Sequence, residues 1–137
     1  MVVYVLEPRE AKDLQQKLRK EGYLNIPTFT GETKENERDV VLSGWKKHDY
    51  DIVIATSAFG IGVDKPDVRT IIHACCPENL SRFYQEVGRG GRDRLPSLSL
   101  FMPDQSRYDS EGDVRRALGL VNKRVLTVER SVIRWNG

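Results

Sequence analysis

The sequence contains few cysteines, no long apolar run and no large excess of charge of one sign. Its 137 residues include two cysteines, the neighbours Cys75 and Cys76. Adjacent cysteines rarely form a disulfide and no Cys-x-x-Cys or Cys/His cluster occurs, so we expect two small buried residues at a strand end and no metal site. No apolar stretch approaches the roughly 20 residues of a membrane span. The N-terminus, MVVYVLEPRE, lacks the regions of a signal peptide, and we therefore expect an intracellular protein without membrane contacts.

The composition is that of one globular domain. Hydrophobic residues make up 39% of the chain and charged residues 31%, which excludes a disordered or membrane-embedded protein. The formal net charge of +2 neither requires nor excludes a polyanionic partner, so nucleic-acid binding has to be argued from local placement.

Short apolar runs alternate with amphipathic segments along the chain. The runs predict strands at 2–7, 28–30, 51–56, 69–73 and 97–102. The amphipathic segments predict a helix from Pro8 towards Gly22, one capped by Thr33 and running to about Lys47, and one opened by Asn79 or Ser81. Leu80, Phe83, Tyr84 and Val87 are spaced to form the buried face of the last helix. This alternation favours a parallel sheet covered by helices on both faces.

A glycine-rich loop, ATSAFGIGVDKPD, follows the strongest strand. In an open parallel sheet, ligands gather at the carboxyl ends of the strands. Thr56 and Ser57 stand at such an end, where their hydroxyls and amides can meet a phosphate. Gly60 and Gly62 allow close approach of the backbone to a ligand, and Asp64 offers a carboxylate to a ribose hydroxyl or an arginine. By itself the loop is equally well explained as a turn capped by Asp64.

A second glycine-rich stretch, QEVGRGGRD, carries two arginines. Arginine remains charged at biological pH and grips phosphate oxygens with a planar fork, so we expect Arg89 and Arg92 to project towards a phosphate held outside the domain. Gln85, one helical turn earlier, can reach the same phosphate or the attacking water. The alternative is an exposed loop in which the two arginines pair with Glu86 and Asp93.

Together these stretches resemble one family. VVYVLEPREAKDLQQKL is similar to motif IV of superfamily 2 helicases, ATSAFGIGVDKP to motif V and YQEVGRGGRD to motif VI. Within that group, AFGIGVDKPDVRTIIH and YQEVGRGGRD look most like the RecQ branch. The resemblance implies an α/β fold, the RecA-like (P-loop NTPase-like) three-layer sandwich with a mostly parallel sheet. It covers residues 1–108, and we expect residues 109–137 to form a short helical C-terminal extension.

The resemblance also implies roles at the nucleotide. Arg92 would be the arginine finger, and Arg89 would contact the phosphates or the acidic motif of a partner lobe. Gln85 would sense the γ-phosphate. Gly62 and Asp64 would belong to the nucleotide side of motif V.

Other residues are implied to contact nucleic acid. Thr56, with Ser57 beside it, would bind a backbone phosphate of a single strand. Thr30 and Gly31, at the end of the second strand, are weaker candidates for the same track.

The whole enzyme implied by the resemblance is an ATP-dependent DNA helicase that moves 3′ to 5′. ATP and Mg²⁺ would be held mainly by an N-terminal RecA-like lobe, which is the expected partner together with single-stranded DNA or RNA. The sequence lacks the Gly-x-x-x-x-Gly-Lys-Ser/Thr loop that holds nucleotide phosphates, so we expect a fragment that is inactive alone. An RNA helicase lobe, a duplex translocase lobe and a non-catalytic docking module remain alternatives.

Overall fold

The structure, a computed structural model, describes residues 1–60 and 64–102. Within these residues five strands and three helices follow one another in the order β1, α1, β2, α2, β3, β4, α3, β5. The strands are β1 (Val2–Tyr4), β2 (Thr28–Phe29), β3 (Val53–Ala55), β4 (Thr70–His73) and β5 (Leu98–Phe101). The helices are α1 (Pro8–Lys20), α2 (Glu35–Lys46) and α3 (Leu80–Val87). Each predicted strand and helix is present, with strands somewhat shorter than the apolar runs suggested.

The five strands form one parallel sheet in the order β2-β3-β1-β4-β5. β1 is the central strand, and Val2 is paired with Val53 on one side and Ile71 on the other. The parallel sheet predicted from the alternating pattern is therefore confirmed. Because all strands run the same way, their carboxyl ends and the loops that follow them lie at one edge.

The first helix is set by local signals. Pro8 occupies its first turn, where a missing N–H does no harm. The Glu10 carboxylate accepts hydrogen bonds from the backbone amides of Leu6 at 3.0 Å and Glu7 at 3.4 Å, which satisfies donors that the helix leaves open. Gly22 follows the helix with φ of +96°, a conformation that glycine adopts without strain.

The second helix begins later than predicted. Lys34, not Thr33, is its N-cap. The Thr33 hydroxyl instead accepts a hydrogen bond from the Thr30 amide at 2.9 Å, because the turn after β2 uses that side chain. Val41 and Trp45 lie on the buried side of α2, as their spacing predicted.

Two apolar clusters lie on the two faces of the sheet. One face is packed by α2 and by the loop after β3; its buried residues are Val2, Tyr4, Phe29, Val41, Trp45, Val53, Ala55, Phe59, Val68 and Ile71. The other face is packed by α1; its buried residues are Val3, Val5, Ala11, Ile26 and Ile54. Helices thus flank the sheet on both sides, but the side chains of β5 are exposed in this part of the chain.

The predicted face of α3 needs a correction. Tyr84 was expected to be buried but is 52% exposed, whereas Glu86 on the same helix is buried. The reason is a buried partner for the Glu86 carboxylate, His73 at the end of β4. Cys75 and Cys76 are buried and form no disulfide, as predicted.

The predicted extension, residues 109–137, lies outside the described residues. In the part of the chain that is described, no helix is long and apolar enough to cross a membrane.

Candidate nucleotide and nucleic-acid site

The two predicted threonines lie side by side at the carboxyl edge of the sheet. β2 and β3 are neighbours, and the Thr56 amide donates a hydrogen bond to the Phe29 carbonyl at 3.1 Å. Thr30 and Thr56 are both buried. Gly31 and Ser57, the residues that follow them, are exposed. The edge therefore brings the four predicted nucleic-acid residues to neighbouring strands, with an exposed backbone beside each threonine.

The Thr30 hydroxyl already has a local function. It accepts a hydrogen bond from the Glu32 amide at 3.2 Å, while the Arg38 guanidinium donates to the carbonyl of Gly31 at 3.1 Å. These contacts fix the turn after β2. They also place a cation next to the exposed Gly31.

Helix α3 begins and ends as predicted. The Asn79 side chain accepts from the Arg82 amide at 2.9 Å, and Gly88 follows the last helical turn. Beyond it lies the motif VI loop, which we define as residues 88–95. This loop is tied to the segment before β4 by hydrogen bonds from the Gly91 amide to the Val68 carbonyl at 3.0 Å and from the Asp93 amide to the Pro66 carbonyl at 3.2 Å.

The close packing of the motif VI loop explains its glycines. Gly91 has φ of +62°, and a Cβ atom there would lie 2.5 Å from the Leu95 carbonyl oxygen. A Cβ at Gly90 would lie 2.7 Å from the Ser97 hydroxyl oxygen. The backbone therefore leaves no room for a side chain at Gly91, and a side chain at Gly90 would force Ser97 to move.

Arg92 lies at the surface of this loop. Its Nη1 is 3.4 Å from Asp64 Oδ1, and its Nε donates to the Gly88 carbonyl at 3.1 Å. The Arg92 side chain is 42% exposed and that of Asp64 is 81% exposed. Asp64 belongs to the motif V loop, which we define as residues 56–67, so the two predicted motifs meet at this ion pair.

Arg89 turns towards the motif V loop and is half-buried. Its Nη2 donates to the Gly60 carbonyl at 2.8 Å, and a Cβ atom at Gly60 would lie 2.9 Å from that nitrogen. Glycine at position 60 therefore makes room for the guanidinium. The two arginines differ in placement: Arg92 is exposed, while Arg89 lies against its own domain.

Arg92 does not form the alternative ion pair with Asp93 that the sequence also allowed. Asp93, its expected partner, pairs with Arg69 instead. Glu86 binds His73 Nε2 through Oε2 at 2.9 Å.

Tyr4, at the end of β1, connects Arg89 to the sheet. Its phenol donates to the Phe59 carbonyl at 3.3 Å. Burial raises the pKa of the Tyr4 phenol, and the nearby Arg89 guanidinium, which hydrogen-bonds to it, opposes that rise. The phenol thus lies between the motif V loop and Arg89, and it stays protonated at neutral pH.

The last two predicted residues of the site are Gln85 and Gly62. Gln85 lies exposed on α3. Gly62 falls outside the described residues. Among the residues that are described, no group of three or more His, Cys, Asp or Glu side chains could hold a metal ion.

Sequence reasoning missed three residues of this region, namely Tyr4, His73 and Glu86. Tyr4 and His73 are polar groups in largely apolar strands, and that irregularity was the available signal; Glu86 gave none, because the pattern places it on the solvent-facing side of α3. Which partners these polar groups bind could not be predicted, because the partners come from other elements of the fold.

Comparisons with known proteins agree with this geometry. The family described as the helicase conserved C-terminal domain matches residues 1–94. RecQ-like DNA helicase blm-1 of Caenorhabditis elegans is 40% identical over 109 residues, which are 80% of this chain and 11% of that protein. RecQ-like DNA helicase BLM of Xenopus laevis is 41% identical over 93 residues, or 67% of this chain and 7% of that protein.

A bacterial relative shows the same similarity. The probable ATP-dependent DNA helicase RecS of Bacillus subtilis is 33% identical over 101 residues, which are 74% of this chain and 20% of that protein. The chain thus spans between 7% and 20% of the length of these three curated relatives.

Solved structures confirm the fold. A DEAD box protein from the hyperthermophile Methanococcus jannaschii superposes with a TM-score of 0.76 at 21% identity, over 92% of this chain and 33% of that one. Domain 2 of the DEAD-box helicase Mss116p, bound to an RNA duplex, gives a TM-score of 0.69 at 21% identity, over 74% of this chain and 41% of that one. The predicted RecA-like fold is therefore correct, and with the family match and the RecQ-like relatives it shows that this chain belongs to the helicase conserved C-terminal domain family.

Proposed function

We propose that this chain is the second motor lobe of an ATP-dependent, RecQ-like DNA helicase that moves 3′ to 5′ inside the cell. In this function it supplies an arginine finger and holds the phosphates of a single strand. The observation that carries the proposal is the Arg92–Asp64 pair at the surface where the motif V and motif VI loops meet. An exposed ion pair contributes little to stability, so a phosphate oxygen can replace Asp64 as the partner of Arg92.

On the nucleotide side, Arg92 acts as the finger. Its planar fork suits the charge that spreads over the γ-phosphate oxygens during transfer, and one such arginine changes the rate by about 10³- to 10⁵-fold. Gln85 is exposed on α3, about one helical turn before the motif VI loop, and is proposed to face the same phosphate. Arg89 has a different part, since it rests on the Gly60 carbonyl and ties the motif VI helix to the motif V loop.

ATP and Mg²⁺ are held mainly by an N-terminal RecA-like lobe. That lobe carries the phosphate-binding loop, which this sequence lacks, while Asp64 and Gly62 complete the nucleotide site from this side. The chain on its own is expected to hydrolyse essentially no ATP.

On the nucleic-acid side, the track is the carboxyl edge at β2 and β3. Thr56 and Thr30 end neighbouring strands there, and the exposed Ser57 and Gly31 let a sugar–phosphate backbone come close to main-chain amides. Contacts to phosphates carry little information on base or sugar. DNA is proposed as the track because the relatives above are named DNA helicases.

The test replaces Arg92 in a helicase in which this chain is joined to its ATP-binding lobe. Arg92→Ala is expected to lower DNA-stimulated ATP turnover by about 10³- to 10⁵-fold and to leave the Kd for single-stranded DNA nearly unchanged. Arg94→Ala is the matched control, since Arg94 is an exposed arginine of the same loop, and it should keep turnover near that of the parent protein.

Turnover that survives in the Arg92→Ala protein would contradict the finger assignment and leave a docking module as the better explanation. Competition between single-stranded DNA and RNA in the same ATPase assay identifies the track. Stimulation by RNA alone would contradict the DNA assignment while leaving the motor lobe intact.

A further inference from the structure

A buried hydrogen bond between two ionisable side chains links the motif VI helix to the sheet. His73 ends β4 and has no exposed surface, and its Nε2 lies 2.9 Å from Oε2 of Glu86, whose side chain is 11% exposed. In sequence, Glu86 lies between Gln85, which is proposed to face the nucleotide, and Arg89, which ties the end of α3 to the motif V loop.

Aromatic rings hold the His73 imidazole in place from two sides. The Tyr4 ring stacks on it with centroids 5.3 Å apart and planes 19° apart, and the Phe83 ring lies 5.0 Å away. His73 Nε2 and Glu86 Oε2 share one hydrogen bond. Nδ1 has no hydrogen-bond partner among the described residues, so this ring has one directional bond, and that bond points at α3.

The same group of residues reaches Arg89. The Tyr4 phenol donates to the Phe59 carbonyl at 3.3 Å and interacts with the Arg89 guanidinium. Arg89 in turn donates to the Gly60 carbonyl, one residue further along the loop. Tyr4, His73, Glu86 and Arg89 therefore form one connected set, which we call the His73 network.

A purely apolar contact would serve stability as well or better. Replacing a buried ion pair by hydrophobic residues is often neutral or stabilising, because the charges no longer have to be desolvated. Apolar side chains, however, tolerate sliding and rotation, whereas a hydrogen bond to a fixed imidazole is satisfied in one orientation of the helix.

We propose that His73 and Glu86 are positioning residues for motif VI: their bond fixes the rotation of α3, so that Gln85 faces outwards while Arg89 reaches Gly60. The inference rests on the proposed function and adds to it a pair that touches neither nucleotide nor nucleic acid. The pair should set the turnover number and leave the KM for ATP nearly unchanged, because it aligns groups that act during transfer.

Two substitutions separate positioning from stability. Glu86→Gln keeps a side-chain amide that can hydrogen-bond to His73 Nε2 as donor or acceptor, and Glu86→Leu fills similar space without a hydrogen-bonding group. Glu78→Leu is the control, because it removes an exposed carboxylate just before the same helix. In the helicase with both lobes, Glu86→Leu should lower kcat by about 10- to 100-fold, as expected for slight misplacement of catalytic groups. Glu86→Gln and the control should stay within about threefold of the parent, which is below the smallest loss expected for Glu86→Leu.

A second readout uses this chain without any partner lobe. In NMR spectra, the Arg89 side-chain N–H resonance should be visible in the parent and Glu86→Gln proteins, and lost to solvent exchange or shifted in Glu86→Leu. Thermal unfolding midpoints of all variants, measured alongside, show whether Glu86→Leu is still folded.

The outcomes distinguish this inference from the proposed function. Loss of turnover in Arg92→Ala with a normal kcat in Glu86→Leu would overturn the positioning role alone. Equal losses in Glu86→Gln and Glu86→Leu, in parallel with their thermal midpoints, would also overturn it, because they would make the pair merely structural. Retained turnover in Arg92→Ala would refute the proposed function, whereas the NMR comparison would still test the orientation of Arg89.

Discussion

Three glycine-to-alanine substitutions isolate the reasons for glycine in the motif VI loop. Gly91 combines a left-handed backbone, φ of +62°, with a carbonyl oxygen 2.5 Å from the position of a Cβ atom. Gly22 has φ of +96° but nothing within 4 Å of that position, and Gly31 has neither constraint. Alanine therefore adds backbone strain and a steric clash at position 91, backbone strain alone at position 22, and neither at position 31.

The expected losses follow from these geometries. A left-handed conformation costs a residue with a side chain about 1–2 kcal/mol, so Gly22→Ala should lower the free energy of unfolding by about that amount. Overpacking costs about 1–3 kcal/mol more, and the Leu95 carbonyl is backbone that cannot rotate away. Gly91→Ala should then lose about 2–5 kcal/mol in total. Gly31→Ala should change the free energy of unfolding by less than about 0.5 kcal/mol.

Urea unfolding of this chain provides the measurement. Trp45 is 1% exposed, so its fluorescence reports loss of the core, and circular dichroism reports loss of the helices. The free energies come from linear extrapolation, with equal m-values as the check that only stability changed. If Gly91→Ala were no more destabilised than Gly22→Ala, the contact with the Leu95 carbonyl would be irrelevant and the loop would not be the rigid element described above.

Two further predictions concern a carboxylate and a helix contact. Burial would raise the pKa of the Asp93 carboxyl, but hydrogen bonds from the Arg69 guanidinium and the Leu95 amide outweigh it and hold that pKa below its ordinary value. The Arg69–Asp93 pair should therefore stabilise the fold above the ordinary pKa of about 3.9 and stop doing so as pH falls through the lower folded-state pKa. In urea unfolding between pH 6 and pH 2, the free energy of unfolding should fall less for Arg69→Met than for the parent protein. An equal dependence of that free energy on pH in the two proteins would contradict this. A Cβ atom at Gly44 would lie 2.6 Å from the Tyr50 ring, so Gly44→Ala should lose about 1–3 kcal/mol. That loss should shrink in a Tyr50→Leu background, and a strictly additive double variant would show that the ring is not the obstacle.

Local signals predicted the elements well, because each depends on residues close together in sequence. Pro8 and Gly22 bound the first helix, and Asn79 and Gly88 bound the third. The Thr33 cap was wrong for an equally local reason, since two turns compete for one hydroxyl and the turn after β2 takes it.

The candidate site was predictable in its residue types and less so in its geometry. The spacing of Gln85, Arg89 and Arg92 identified the motif, but not that Arg89 rests on Gly60, 29 residues earlier in the chain. Likewise, the pattern placed Glu86 among solvent-facing residues, because its partner His73 comes close only when α3 lies against the end of β4. Contacts of this kind depend on the assembled sheet, which no single segment encodes.

The position of β1 has a consequence for how the chain is made. Val2, Val3 and Tyr4 are synthesised before their neighbours in the sheet, which are Val53 to Ala55 and Ile71 to His73. The apolar strand β1 is therefore unpaired on both edges until β3 has been synthesised, and one edge stays open until β4 follows. Pairings so distant in sequence form slowly, and unpaired strands of this type readily associate with other chains. Within this domain, the interval before β4 has been synthesised is therefore the one in which β1 is most exposed to association with other chains.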